Sequence, residues 1–173
     1  ETVRRVRPAK LFVIADGPRK DHPDDEQRCR ETRSVIETVD WPCTVYRKYA
    51  DANLGCCKNS WRGYQWVFEQ TDRAIILEDD TVADISFFRY CDELLEKYAD
   101  DPRVMSINGT NYAGRWDCSS SYFFSRYTNS WGWASWRRVW DHFDINMEKW
   151  KDPQVRERVR SRMTSSQYLV KNA

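Results

Sequence analysis

The chain has 173 residues and no charge excess of either sign: 28 Lys and Arg stand against 27 Asp and Glu, for a net charge of +1. The basic footprint that accompanies nucleic-acid binding is therefore missing. No apolar stretch approaches the ~20 residues of a transmembrane helix. The longest pure run, LFVIA at Leu11 to Ala15, suits one buried strand. No signal peptide is visible, and Glu1 does not look like a native start, so trimming of an upstream segment is an expectation. None of the six cysteines (Cys29, Cys43, Cys56, Cys57, Cys91, Cys118) makes a CxxC pair or zinc-type spacing. Reduced thiols in a cytoplasmic protein are expected; a secretory lumen is the alternative that an even count leaves open. There is no internal repeat and no low-complexity linker. No glycine-rich phosphate loop follows the first apolar run, which counts against a nucleotidyltransferase.

Nine Trp and nine Tyr supply flat apolar faces with one polar edge, useful in cores and in sugar sites alike. From Leu11 to Asn108, short β-type runs alternate with helical patterns. Strands are expected at Leu11–Ala15, Cys43–Tyr46, Arg73–Leu77 and Val104–Ile107. Helices are expected after Pro23-Asp24-Asp25-Glu26, over Cys57–Glu69, and over Phe87–Tyr98, where Cys91, Leu94 and Leu95 share one face. Cys29 and Cys91 read as small core residues. Beyond Gly109, Ser121–Ser125 reads as a strand. Trp133, Trp136, Trp140 and Phe143 recur at three- and four-residue steps and read as a helical core stripe. Asp152-Pro153 reads as a cap with an N1 proline, opening a helix lined by Val155, Val159 and Met163. This alternation predicts an α/β domain with a mostly parallel central sheet, whose ligands sit at the carboxyl ends of the strands. Three expected strands end in polar groups: Asp16-Gly17, Glu78-Asp79-Asp80 and Asn108-Gly109.

Glu78, Asp79 and Asp80 follow Ile75-Ile76-Leu77 without a spacer. On a continuing strand, Glu78 and Asp80 would share one face and Asp79 the other. Mg²⁺ and Mn²⁺ take one or two carboxylates and complete their shells with water and phosphate oxygens, so the cluster suits a metal–diphosphate site. The structural alternative is a cap, from Asp80 or Asp84, on the following helix, with Glu78 paired to an Arg. Arg19 has the forked donors that suit a phosphate, and Lys58 is a second phosphate candidate. Arg33 and Lys58 read equally as solvated-face residues, and Asp16-Gly17-Pro18 equally as a turn. Asn108 and Gly109 can bond sugar hydroxyls or form an ordinary Asn-Gly turn.

IILEDDTVADISFFRYCDELLEKY resembles the DxD-type segment of glycosyltransferases with the GT-A (Rossmann-like) fold. It is most similar to the branch that contains N-acetylglucosaminyltransferase I and its bacterial relatives. LFVIADGPR at Leu11–Arg19, NLGC at Asn53–Cys56 and NSWGWASWRRVWDHFD at Asn129–Asp144 resemble the same branch, in family order across most of the chain. The resemblance implies that Asp80 binds Mn²⁺ or Mg²⁺ directly, with Asp79 near the donor sugar and Glu78 near the ribose. It implies that Asp16 contacts the nucleoside, where Gly17 lets backbone approach the base. It also implies that Arg33 and Asn53 lie near the nucleotide. The loop of Trp131, Gly132 and Trp133 would lie under the donor sugar and form part of the acceptor site. Asn59-Ser60-Trp61-Arg62 departs from the small residues usual after the NLGC loop.

Inverting transfer needs a base for the acceptor hydroxyl, and the family's downstream acidic-aromatic segment has no good copy here. Asp141 sits one turn from Arg137 and reads as its partner, which leaves Asp144 as the candidate base. The expectation is thus a single domain over residues 1–173, shortened or truncated on the acceptor side. It would be a metal-dependent inverting glycosyltransferase using a UDP-sugar, UDP-GlcNAc being one candidate, and a glycan or other hydroxyl acceptor. Two alternatives stand beside it. One is a non-catalytic sugar-nucleotide-binding module or fragment. The other is a Trp-based carbohydrate-binding domain with a structural Ca²⁺ site.

Overall fold

A computed structural model of the chain describes residues 1–112, 114 and 119–162. The chain divides into two compact units, Glu1–Asp141 and His142–Ala173, where the sequence suggested one domain. In the first unit, the order is α1 (Thr2–Val6), β1 (Lys10–Ala15), α2 (Asp25–Ser34), β2 (Thr44–Tyr49), α3 (Cys56–Phe68), β3 (Arg73–Ile76), α4 (Ile85–Lys97), β4 (Ile107–Asn108), β5 (Trp133–Trp136) and α5 (Arg137–Trp140). A 3-10 turn, Val35–Thr38, extends α2.

Among the described residues the strands form two ladders, one parallel and one antiparallel. β1 and β2 pair in parallel, from Lys10 opposite Thr44 to Ala15 opposite Tyr49. In the second ladder β5 lies between β3 and β4 and is antiparallel to both. β3 and β4 therefore run the same way, joined by α4, with β5 in the slot between them. α3 packs on both β1 and β3, so it spans the two ladders. Gly63 makes its contact with β1 close: a Cβ there would stand 2.5 Å from Ile14 Cδ1.

β5 overturns one expectation. Trp133–Trp136 is a strand, and only Arg137–Trp140 is helical. Ala134, Ser135 and Trp136 are all buried, so both faces of the strand are covered and no period-two signal survives in the sequence. Trp136 is in the core, as expected, and its indole N–H donates to Leu95 O at 3.0 Å. Trp140 stacks on Phe68 at 5.8 Å. Phe143 belongs to the second unit and is exposed. Ser121–Ser125 is not a strand either. Its Tyr122 packs on Tyr90 and Tyr98, and Tyr122 Oη lies 2.7 Å from Tyr98 Oη.

The core joins α4 to the second ladder: Cys91, Leu94 and Leu95 meet Ile107, Ala134 and Trp136. Each fully buried Leu contributes about 1.5–3 kcal/mol. α4 forms as its pattern predicts. Asp84, and not Asp80, is its cap, accepting from Ser86 N at 2.8 Å, and Lys97 closes the last turn. Cys29, by contrast with Cys91, is only half-buried. The described part of the second unit holds a 3-10 turn, Glu148–Lys151, and α6 (Pro153–Arg160). Asp152 caps α6 by accepting from Gln154 N at 2.8 Å, with Pro153 in the first turn. Met163 and Cys118 lie outside the described residues. Among the described residues, no helix is long and apolar enough to cross a membrane.

Candidate functional site

The register of the second ladder creates the site. Ile76 of β3 pairs with Trp133 of β5, and Trp133 pairs with Asn108 of β4. Since β5 is antiparallel, its amino end lies beside the carboxyl ends of β3 and β4. Three loops therefore meet: Glu78–Asp80 leaving β3, Gly109–Thr110 leaving β4, and Asn129–Gly132 entering β5. Sequence reasoning singled out residues on all three.

The acidic triplet is not an extension of β3. The strand ends at Ile76, and Thr81 N donates to Glu78 O at 3.1 Å, closing a turn. The alternating-face argument therefore does not apply, and all three carboxylates are exposed. Among the described residues none of them has an ion-pair partner, so the expected Glu78–Arg alternative is not formed. Asp80 Oδ1 accepts the indole N–H of Trp131 at 2.9 Å. The Tyr64 hydroxyl on α3 is pushed above its ordinary value, mainly by burial and then by the negative charge of Glu78. The Tyr64 ring stands edge-on to Trp133 at 5.7 Å.

The tryptophan loop is pinned to the end of β4. Asn108 Oδ1 accepts from Asn129 N at 3.1 Å and from Thr128 Oγ1 at 3.2 Å. Gly109 N donates to Gly132 O at 2.9 Å, and Thr110 Oγ1 to Trp131 O at 2.8 Å. Gly132 has φ +64°, a left-handed conformation that suits glycine. Gly109 lies against the Phe87 ring, with no room for a Cβ. Asn108 and Gly109, read from sequence as sugar contacts, thus act here as anchors of the loop that carries Trp131. The Trp133 indole nitrogen and Thr81 Oγ1 are buried without a protein partner among the described residues.

The second group of expected residues gathers at the carboxyl end of β1. Asp16 accepts four hydrogen bonds: Oδ1 from Gly17 N and Leu54 N at 2.8 Å each, Oδ2 from Gly55 N at 2.9 Å and Asn53 Nδ2 at 3.1 Å. A carboxylate has about four acceptor positions, and all are used. Asp16 staples the Asn53–Gly55 loop to β1. Gly17 lets that loop approach, since a Cβ would stand 2.5 Å from the Ala52 carbonyl carbon. Arg33 Nη2 donates to Asp16 O at 2.9 Å and Ala50 O at 2.8 Å, with its guanidinium 4.8 Å from the Tyr49 ring centroid. Arg19 is held in a fork by Asp25, at 2.7 and 3.0 Å, instead of standing free for phosphate. Hydrogen bonds from the Arg19 side chain and then its backbone hold the Asp25 carboxyl well below the usual carboxylate range. Lys58 is exposed in the first turn of α3, which has no acidic residue and no side-chain cap.

α3 connects the two groups. Its N-cap, Gly55, is bonded to Asp16, and Tyr64 stands by Glu78 and Trp133. Nine residues along, at 1.5 Å each, that is about 13 Å of helix axis. Tyr64, Thr81 and Asn129 were missed as site residues. Tyr64 carries no local motif, while Thr81 and Asn129 stand within the segments that resemble the family but have no local feature that marks them.

Asp144, the candidate base, caps a turn in the second unit. Its carboxylate accepts from Asn146 N at 3.1 Å and Glu148 N at 2.6 Å. Asp141 does not pair with Arg137, which bonds Asp72 at 3.2 Å.

Among the described residues, no three His, Cys, Asp or Glu side chains converge on one metal position. The donor set suits a hard cation that keeps several waters and takes other ligands from phosphate, where one or two carboxylates suffice. Asp80 fits that role: one oxygen is occupied by Trp131, the other has no hydrogen bond among the described residues, and the side chain is exposed. No family model, curated protein or solved structure matches the chain.

Proposed function

We propose that the chain binds a UDP-sugar with Mn²⁺ or Mg²⁺ and belongs to the GT-A type of glycosyltransferase, transferring the sugar with inversion to a hydroxyl acceptor. The observation that carries this reading is the bond between Asp80 and Trp131. It joins two residues 51 positions apart, each singled out from a separate motif, at one mouth of the second ladder. A capping role for the acidic triplet gives no reason for that meeting, and Asp84 caps the helix instead.

In this reading Asp80 holds the cation, Asp79 lies near the donor sugar and Glu78 near the ribose. When bound, the cation supplies Lewis-acid stabilisation of the departing diphosphate. The stapled Asn53–Gly55 loop, the amino end of α3 and Lys58 would face the nucleotide, where backbone N–H groups and one cation favour phosphate. Arg33 would border the nucleoside from beneath the Asp16 loop. Trp131, about half exposed at 46%, offers a ring face to a sugar. A second reading, a sugar-nucleotide-binding module without transfer, is favoured by Asp144, whose carboxylate already serves two backbone N–H groups.

Calorimetric titration of UDP with Mn²⁺ tests the common part. Binding that is lost in Asp80→Ala supports it; absence of binding, or indifference to Asp80→Ala, refutes it. Turnover or hydrolysis of a UDP-sugar then separates the transferase from the module.

A further inference from the structure

We propose that Trp131 is the positioning residue of Asp80: its indole N–H holds one carboxylate oxygen so that the other is presented to the cation. The inference rests on Asp80 as metal ligand. It changes the role of Trp131, which the motif alone marked only as a stacking surface.

An isolated hydrogen bond between two exposed side chains contributes little, because water competes for both partners. This one is different because the donor is held before the bond forms. Trp131 O accepts from Thr110 Oγ1 and Trp131 N donates to Asn129 Oδ1 at 3.0 Å, so the Trp131 peptide groups are fixed on both sides. Asn129 is in turn bonded to Asn108, and Gly132 O to Gly109 N. With its backbone pinned to the end of β4, Trp131 is delivered beside the acidic turn, and only its own side-chain torsions remain to be ordered for the indole to meet Asp80.

The chemistry also favours orientation over ligation. An indole N–H is only a donor. It satisfies one carboxylate oxygen, sets the plane of the group, and cannot itself take a metal. Donors in this position commonly govern metal affinity, and their loss weakens it 10–100-fold. The N–H lies on the ring edge, so the ring faces stay available to a sugar, and the two roles can be separated by substitution.

Trp131→Phe keeps an aromatic face and removes the N–H. In the presence of UDP its Mn²⁺ dissociation constant, read from the paramagnetic resonance of free Mn²⁺, should rise by about 10-fold or more. A metal-free readout accompanies it. The indole resonance that disappears in Trp131→Phe should move in Asp80→Asn, while the other assigned indoles stay in place. Unchanged Mn²⁺ affinity in Trp131→Phe, or an unmoved indole resonance, overturns the inference. If the unaltered chain shows no Asp80-dependent Mn²⁺–UDP binding, the proposed function fails and this inference fails with it. If that binding is present and Trp131→Phe matches it, only the positioning role fails.

Discussion

Asp16 offers the sharpest separation of a structural from a ligand-binding role. Its four donors divide into two pairs, Gly17 N with Leu54 N on Oδ1 and Gly55 N with Asn53 Nδ2 on Oδ2. Asp16→Asn keeps the shape but has one oxygen. Whichever way the amide turns, its NH₂ faces a pair of donors. The less costly choice places it on the Oδ2 side, since the Asn53 amide can turn to water while Gly55 N cannot easily do so. One deprived, part-buried backbone N–H costs about 1–3 kcal/mol. The two surviving bonds lose the strengthening that a charged acceptor provides, about 1 kcal/mol each at most. Together the expected loss is about 1–5 kcal/mol. With a urea m-value of about 2 kcal/mol/M, the midpoint falls by about 0.5–2.5 M. Equilibrium unfolding followed by tryptophan fluorescence measures it, with UDP titration alongside. An unchanged midpoint with UDP binding abolished would refute the stapling argument and return Asp16 to direct nucleoside contact.

Three further outcomes follow from local geometry. Gly63→Ala should destabilise by up to about 2 kcal/mol: the clash with Ile14 costs about 1–3 kcal/mol, against a helix-propensity gain of ~1 kcal/mol; a stabilised variant in thermal melts would show that α3 and β1 are less tightly packed. Burial pushes the Cys91 thiol up to about 12, so iodoacetamide should label exposed Cys56 and Cys57 and spare Cys91 in the native chain at neutral pH, as read by mass spectrometry; early labelling of Cys91 would contradict the core assignment. The Asp25 carboxyl is depressed when folded, so the Arg19–Asp25 fork stabilises fully above the unfolded carboxylate value, near 3.9, and less as pH falls below it. The stability difference between the parent chain and Arg19→Ala should therefore be constant above about pH 5 and shrink below about pH 4. A difference that widens on acidification would reverse the sign of the argument.

Residues with local causes were legible in the sequence. Asp84, Cys91, Leu94 and Leu95 described α4 because a cap and one apolar face suffice to define an isolated helix. Asp152-Pro153 did the same for the start of α6. Trp133 and Trp136 misled, because a strand covered on both faces has no alternation, and a three-residue step between tryptophans reads as helix. Asp16 and Asn108 were picked correctly as strand-end polar residues. Asn53 and Asn129 were picked up within motifs, but their bonds to Asp16 and Asn108 were invisible, because a hydrogen bond across 20 or more residues leaves no periodic trace.

The sequence by itself determined the early strands, the main helices and the polar character of three strand ends, since these depend on propensity, capping and neighbouring side chains. Only the tertiary structure decided that β5 runs antiparallel between β3 and β4, and hence that the tryptophan loop arrives at the acidic turn. The physical reason is that strand pairing is non-local. The register of Ile76, Trp133 and Asn108 places Trp131 against Asp80.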